Sequence, residues 1–300
     1  MRASAAAAAA LATLLTSLIG CSAGPTEPAV VKPSADGHAA SGHQPSGSSA
    51  GGLVESVARL LGPGHDARQV TSGPVSFEDT EYFATIFNAG STTTFTAFAE
   101  VVRDVTVQPS SAATVTYRDA TTPTLLSDQD RTLWEKAGSP RLQPSRTGIM
   151  NFPSNHYSLL PQSTGLTYAE AQSLPASPAA MYSSIKKGVL SSGPGTLAQE
   201  MLNDFAFLLA TAPLTEKQLS AAWQAVSLIP NLQLCGTGED LSGRRGEGLC
   251  VGDGAERTEI LLDPVTATVL GVKLTLLRTS PIYPGVAAGT VIQSDSLTRG

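Results

Sequence analysis

The chain has 300 residues, of which 41% are hydrophobic and only 15% charged, and its formal net charge at pH 7 is -6. A soluble domain usually carries about 25% charged residues, so Ser, Thr, Gln and Gly must supply much of the polar surface. An acidic chain is a poor partner for nucleic acid, whose phosphates require clustered Lys and Arg. The composition therefore excludes a nucleic-acid-binding protein, and the length favours one folded domain behind an unfolded N-terminus.

The first 20 residues have the pattern of an export signal. Arg2 supplies a positive charge, and an uncharged run rich in Ala and Leu follows at residues 5–19. This run is shorter than the roughly 18 or more apolar residues expected of a membrane-spanning helix. The segment ends in Leu18-Ile19-Gly20-Cys21.

This ending resembles the lipobox of bacterial lipoproteins. In that family the cysteine thiol carries a diacylglyceryl group, and the signal peptide is removed in front of the cysteine. The resemblance implies that residues 1–20 are a lipoprotein signal peptide and that Cys21 is the lipidated first residue of the mature protein. Two acyl chains suffice for stable anchoring, so we expect the protein at the extracytoplasmic face of the cell membrane.

Residues 21–52 are predicted to form a disordered tether behind the lipid anchor. They are rich in Gly, Pro, Ser and Ala, and they cannot bury enough apolar surface to offset the entropy of ordering. A random coil of this length reaches about 30 Å. His38 and His43 lie here without a third ligand, so we predict no metal site and no cofactor.

The remaining residues, 53–300, are predicted to form a single extracytoplasmic domain. A helix begins at Leu53 and stops at Gly62-Pro63-Gly64. Segments rich in β-branched and aromatic residues then predict strands at 75–88, 94–107 and 112–118. The connections are too short for parallel crossovers, which indicates an antiparallel meander.

Four helices and four strands are predicted to follow. The helices are expected at 127–138, from Pro178, at 196–210 and at 215–229, and the strands at 232–237, 248–251, 257–262 and 269–277. An order of strands, then helices, then strands is typical of the α+β class. We therefore predict an antiparallel β-sheet covered by several α-helices.

From about Pro123 onward the sequence resembles an uncharacterised family of lipoproteins from high-GC Gram-positive bacteria. The matching stretches are DRTLWEKAG at 130–138, LPASP at 174–178, Trp223 to Pro230, and ILLDP at 260–264 followed by VLG at 269–271. At fold level, the order of elements is similar to the half-barrels of periplasmic lipoprotein carriers and sigma-factor regulators. Those proteins bind acyl chains or lipidated partners on a concave sheet. The resemblance implies a half-barrel-like sheet here, but it assigns no binding residue.

The sequence contains no established catalytic signature. It lacks the G-x-S-x-G, H-E-x-x-H, P-loop and helix-opening G-x-G-x-x-G patterns. The S-x-x-K pattern occurs twice, at 183–186 and 184–187, but without the S-D-N and K-T-G that accompany it in penicillin-interacting enzymes. His65 and His156 are the only histidines of the predicted domain, and nothing marks a Ser or Asp partner for either. No catalytic residue is predicted.

Three functional hypotheses follow. The leading one is a membrane-anchored, non-enzymatic module that binds or senses a lipid, a lipoprotein or an envelope protein. The first alternative is an anchored hydrolase of envelope substrates, which requires His65 or His156 to lie near a Ser or a carboxylate. The second is a structural or protein-interaction lipoprotein without a pocket.

Cys235 and Cys250 are predicted to form a disulfide. They are the two cysteines left once Cys21 is lipidated, in a compartment where disulfides persist. A hairpin closing around Ser242-Gly243 would place residues whose numbers sum to 485 opposite each other, and therefore Cys235 opposite Cys250. A bulge at Gly243 would shift that register by one, and the alternative is two buried free thiols.

Overall fold

The structure is a computed structural model that describes residues 49–60, 73–89, 93–119, 124–140, 148–154, 156–160, 166–189, 196–252, 254–283 and 285–300. The predicted signal peptide, Cys21 and most of the predicted tether lie outside these residues. Within the described ranges the chain forms six helices and ten strands. The helices are α1 (Ala50–Leu60), α2 (Asp128–Lys136), α3 (Tyr168–Gln172), α4 (Pro178–Gly188), α5 (Leu197–Thr211) and α6 (Glu216–Val226).

The strands follow two groups along the chain. They are β1 (Val75–Ala89), β2 (Thr93–Val107), β3 (Ala113–Asp119), β4 (Thr124–Leu125), β5 (Gly148–Phe152), β6 (Gln233–Glu239), β7 (Arg245–Gly252), β8 (Glu256–Asp263), β9 (Thr268–Leu276) and β10 (Val291–Arg299). All of them belong to one open sheet of order β5-β3-β2-β1-β10-β9-β8-β7-β6, with β4 paired to β2. The pairs are antiparallel, and the predicted α+β class with an antiparallel sheet covered by helices is confirmed.

Strand β10 holds the two halves of the sheet together. It pairs with β1 from the N-terminal meander on one side and with β9 from the C-terminal meander on the other. This strand was not predicted, because residues 293–296 (QSDS) are polar throughout and give no alternation. In the structure Ser294, Asp295 and Ser296 are nevertheless buried.

Helices cover one face of this sheet. Helix α5 contacts β7, β8, β9, β10 and β1 and also packs against α4 and α6, so it is apolar nearly all round. Thr196 and Gln199 form a capping box at its start. Trp223 of α6 is fully buried in the same core. Helix α1 packs against α6 and begins at Ala50, three residues before the predicted start.

A second, smaller apolar cluster lies at the far end of the β1–β2 hairpin. It consists of Phe95, Ala97, Leu125 and Trp134, with α2 packed against β2. The Ser127 hydroxyl caps α2 as predicted by accepting the N–H of Asp130 at 3.1 Å. The Asp130 carboxylate in turn accepts the backbone N–H of Thr96 at 3.2 Å, which ties the helix to the strand.

Candidate functional site

Cys235 and Cys250 are joined by a disulfide between edge strand β6 and β7, with Cα atoms 6.0 Å apart. The predicted register of this hairpin is wrong. Glu239 faces Arg245 at the tip, and after a bulge between Leu234 and Gly236 the residue opposite Cys250 is Gln233. Cys235 is the extra residue of that bulge, which brings it beside Cys250 without being directly opposed to it.

The hairpin tip explains the shift. The Asp240 carboxylate accepts the N–H groups of Ser242 and Arg244 at 3.0 and 2.8 Å, which closes a five-residue loop centred on Ser242. Gly243 takes a φ of +76°, a left-handed conformation that suits glycine. The hairpin loop is therefore centred on Ser242, whereas the predicted turn was centred between Ser242 and Gly243.

The histidine and the S-x-x-K residues that the structure describes make local contacts on the protein surface. His156 is exposed, and its Nδ1 lies 2.8 Å from the carbonyl oxygen of Ser154. On exposed positions of α4, the Ser183 hydroxyl donates to the Ala179 carbonyl at 2.9 Å, and the Lys186 ammonium lies 5.9 Å from the Tyr182 ring centre. Cys21 and His65 lie outside the described residues.

Two negative findings apply to the described ranges. No helix among them is long and apolar enough to cross a membrane. In the same part of the chain, no group of three or more His, Cys, Asp or Glu side chains is arranged to hold a metal ion.

The structure brings together a group of charged residues that the sequence did not single out. Asp79 and Glu81 on β1, Arg103 on β2 and Asp295 on β10 form what we call the central charge cluster. Arg103 lies directly opposite Asp79, and Glu81 lies directly opposite Asp295. Opposed residues share a face, and residues two apart on one strand do so as well, so all four side chains lie on the same face of the sheet.

One guanidinium nitrogen of Arg103 forms ion pairs with three carboxylates. Arg103 Nη2 pairs with Asp79 Oδ2 and lies 3.1 Å from Glu81 Oε2 and 3.7 Å from Asp295 Oδ1. Gln293 Nε2 donates to the other oxygen of Asp295 at 3.3 Å. With every group ionised, three negative charges face one positive charge, so the cluster carries a surplus of two negative charges.

Burial decides how these groups ionise. Asp79 and Asp295 are each 2% exposed, whereas the side chains of Arg103 and Glu81 are 27% and 19% exposed. Burial raises the pKa of Asp79 to about 6, against the opposing charge of Arg103. Burial, followed by the charges of Asp79 and Glu81, raises the pKa of Asp295 well above its ordinary value. Burial also disfavours the charged guanidinium, but the three carboxylates outweigh it and raise the pKa of Arg103.

Two carboxylate oxygens of the cluster accept no hydrogen bond from any described residue. They are Asp79 Oδ1 and Asp295 Oδ1, and both are shielded from solvent. In a buried ionised carboxylate, an oxygen that accepts no hydrogen bond is costly, and the common response is to take up a proton. The arrangement is therefore suited to binding a proton or another positive charge.

The cluster separates the two apolar clusters along β1 and β2. On this face the main core reaches Phe77 and Val105, and the smaller cluster begins at Ala97. The half-buried Tyr157 approaches Arg103 from the segment after β5, and burial raises its pKa to about 12, against the charge of Arg103.

A signal for half of the cluster was present in the sequence. Asp79 and Arg103 lie inside correctly predicted strands, at the same alternating positions as the apolar Phe77 and Val105. A charged residue in an inward-facing position marks a departure from the expected pattern. Asp295 carried no such signal, because its strand was not predicted.

Comparison with known proteins gives distant likenesses only. No family model matches the chain, and no curated protein matches it. A chain of the MucA/MucB complex of Pseudomonas aeruginosa is 14% identical over 84% of this chain and 57% of that chain, with a TM-score of 0.25. A structure of MucB with MucA(peri) gives 14% identity, 84% and 56% coverage, and a TM-score of 0.23.

A protein of the DUF1329 family from Desulfovibrio piger is 9% identical, with 83% of this chain and 90% of that chain covered and a TM-score of 0.18. This chain thus spans little more than half the length of the MucB chains that it matches. At these TM-scores the likeness is weak and assigns no function to this chain.

Proposed function

We propose that the protein is a lipid-anchored, extracytoplasmic, non-enzymatic module that binds or senses an envelope component. In this proposal residues 1–20 are the signal peptide, and Cys21 carries the lipid. The predicted tether is 21–52, of which residues 50–52 lie in α1, and the rest of the chain forms the single domain. The lipobox-like ending before Cys21 supports the anchor, and the disulfide between Cys235 and Cys250 supports an oxidising compartment.

The observation that carries the binding role is the central charge cluster. Surplus buried charge destabilises a fold relative to apolar residues of similar volume. Ionisable groups whose pKa values are displaced by burial and by a specific partner are candidates for functional sites.

The anchor is tested by changing Cys21→Ser in the full chain, with Cys235→Ser as the matched control. We expect the Cys21→Ser variant to keep its signal peptide and to leave the detergent phase in a phase-partitioning assay, because only a thiol forms the thioether. The control should partition as the wild type does. Detergent partitioning of Cys21→Ser at the wild-type level would contradict lipidation.

The binding role is tested by photo-crosslinking in intact cells. Phe83 lies two residues beyond Glu81 on the same face of β1 and is half-buried, so a photoreactive phenylalanine analogue there samples ligands at the cluster. The matched control places the analogue at the half-buried Tyr182 of α4. We expect a discrete lipid or protein adduct from position 83 and none from position 182. Equal labelling from both positions would contradict binding at the cluster.

A further inference from the structure

The central charge cluster lies on the seam that holds the sheet together. Strands β1 and β10 pair from Phe77 with Arg299 to Phe83 with Gln293, and the pair Glu81–Asp295 lies within this ladder. The two acidic residues are directly opposed, an arrangement in which like charges destabilise antiparallel pairing. Asp79 lies on the same face and shares the Arg103 guanidinium with both.

Among the described residues, the charged and polar groups that compensate the carboxylates are Arg103 and the side-chain amide of Gln293. From the neighbouring strands, Tyr117 on β3 faces Arg103, and Val272 on β9 lies opposite Asp295. Tyr157 approaches from the segment after β5. Glu200 and Asp204 are the buried acids of α5, the helix that packs against both β1 and β10.

We propose that this cluster is a proton-binding site, and that loss of its proton loosens the β1–β10 seam and opens the helix-covered face of the sheet. With two protons bound, the surplus of negative charge is gone and the Glu81–Asp295 repulsion across the ladder disappears. A carboxyl that takes up a proton also removes the cost of a buried negative charge at the unbonded oxygens of Asp79 and Asp295. This inference needs only the described residues and stands whether or not Cys21 is lipidated.

The direction of the pH effect follows from linkage. Because the pKa of Asp79 rises from 3.8 to about 6 on folding, the folded state binds more protons than the unfolded state between these values. Its contribution to stability is complete below pH 3.8 and is lost as the pH rises through about 6. The raised pKa of Asp295 acts in the same direction.

Hydrogen exchange of the full-length, detergent-solubilised protein tests the proposal. Peptides of β1 and β10 are compared at pH 5 and pH 8 after correction for the intrinsic exchange rate, with peptides of β7 and β8 as internal reference. We expect protection in β1 and β10 to fall by about tenfold or more at pH 8, since one pKa unit corresponds to a factor of ten. Protection in β7 and β8 should fall less.

Variants separate the cluster from other acids. Asp295→Asn should abolish the pH difference in β1 and β10. Asp79→Asn should reduce this difference, and it provides the test if Asp295→Asn fails to fold. Asp104→Asn is the matched control, because this acid lies on β2 but is exposed and pairs with Arg118. Asp104→Asn should keep the wild-type difference. Equal protection of the wild-type seam at both pH values, or a pH difference that survives in both cluster variants, would overturn the proposal.

Discussion

Replacing Arg103 with Met removes the cation of the central charge cluster and keeps the aliphatic part of the side chain. The buried carboxyls of Asp79 and Asp295, each 2% exposed, then lose the partner that they share. Removing one partner of a buried ion pair typically costs about 3–5 kcal/mol. We expect the lower end here, about 3 kcal/mol at pH 7.5, because both aspartates can respond by taking up protons. At pH 5 they are already largely protonated, and the cost should fall to about 1 kcal/mol, the scale of a lost hydrogen bond.

Denaturant titration at the two pH values measures this difference, with the fluorescence of the fully buried Trp223 as the signal. Arg118→Met is the matched control. Arg118 bridges Glu78 and Asp104 at 2.9 Å each, but all three side chains are about half-exposed. Exposed pairs contribute little, so this variant should be nearly neutral at both pH values. An equal loss from Arg103→Met at pH 5 and pH 7.5 would refute the proposed ionisation of the cluster.

Two further predictions concern the C-terminal half of the sheet. Replacing Cys235 and Cys250 with Ala should lower the free energy of unfolding by about 3 kcal/mol in the chain-entropy model for a separation of 15 residues, and a loss below about 1 kcal/mol in denaturant titration would contradict it. Gly271→Ala should destabilise by about 3 kcal/mol in the same titration, because its Cβ would press on the Asp295 carbonyl oxygen and break ladder bonds. Gly238→Ala is the control and should change little, because its Cβ would meet side-chain atoms only, the nearest of them in Leu261 at 3.2 Å.

The elements that were predicted correctly are those whose signals are local. Helix α5 follows the capping residue Thr196 and an apolar run, and β1 to β3 are bounded by short polar turns. Helix α3 was missed although Thr167 and Glu170 form a capping box, because its five residues are too few for a helical period. The residues of β10 are extended because β1 and β9 flank them, which no local pattern encodes.

The same reasoning explains what was missed at the site. Asp79 and Arg103 belong to neighbouring strands of one hairpin, and their pairing follows from the turn between them. Asp295 joins them through a β1–β10 pairing between residues more than 200 positions apart, which one sequence does not specify. The register at the hairpin tip is likewise set by how the Asp240 side chain closes the loop.

The protonation of the two buried aspartates is best measured by nuclear magnetic resonance. The full chain is labelled with ¹³C at the aspartate carboxyls, and the resonances are assigned by comparison with Asp79→Asn and Asp295→Asn. We expect Asp79 to titrate with a pKa of about 6 and Asp295 well above 3.8. Titration of both cluster aspartates near pH 4 would contradict a central charge cluster that holds a proton.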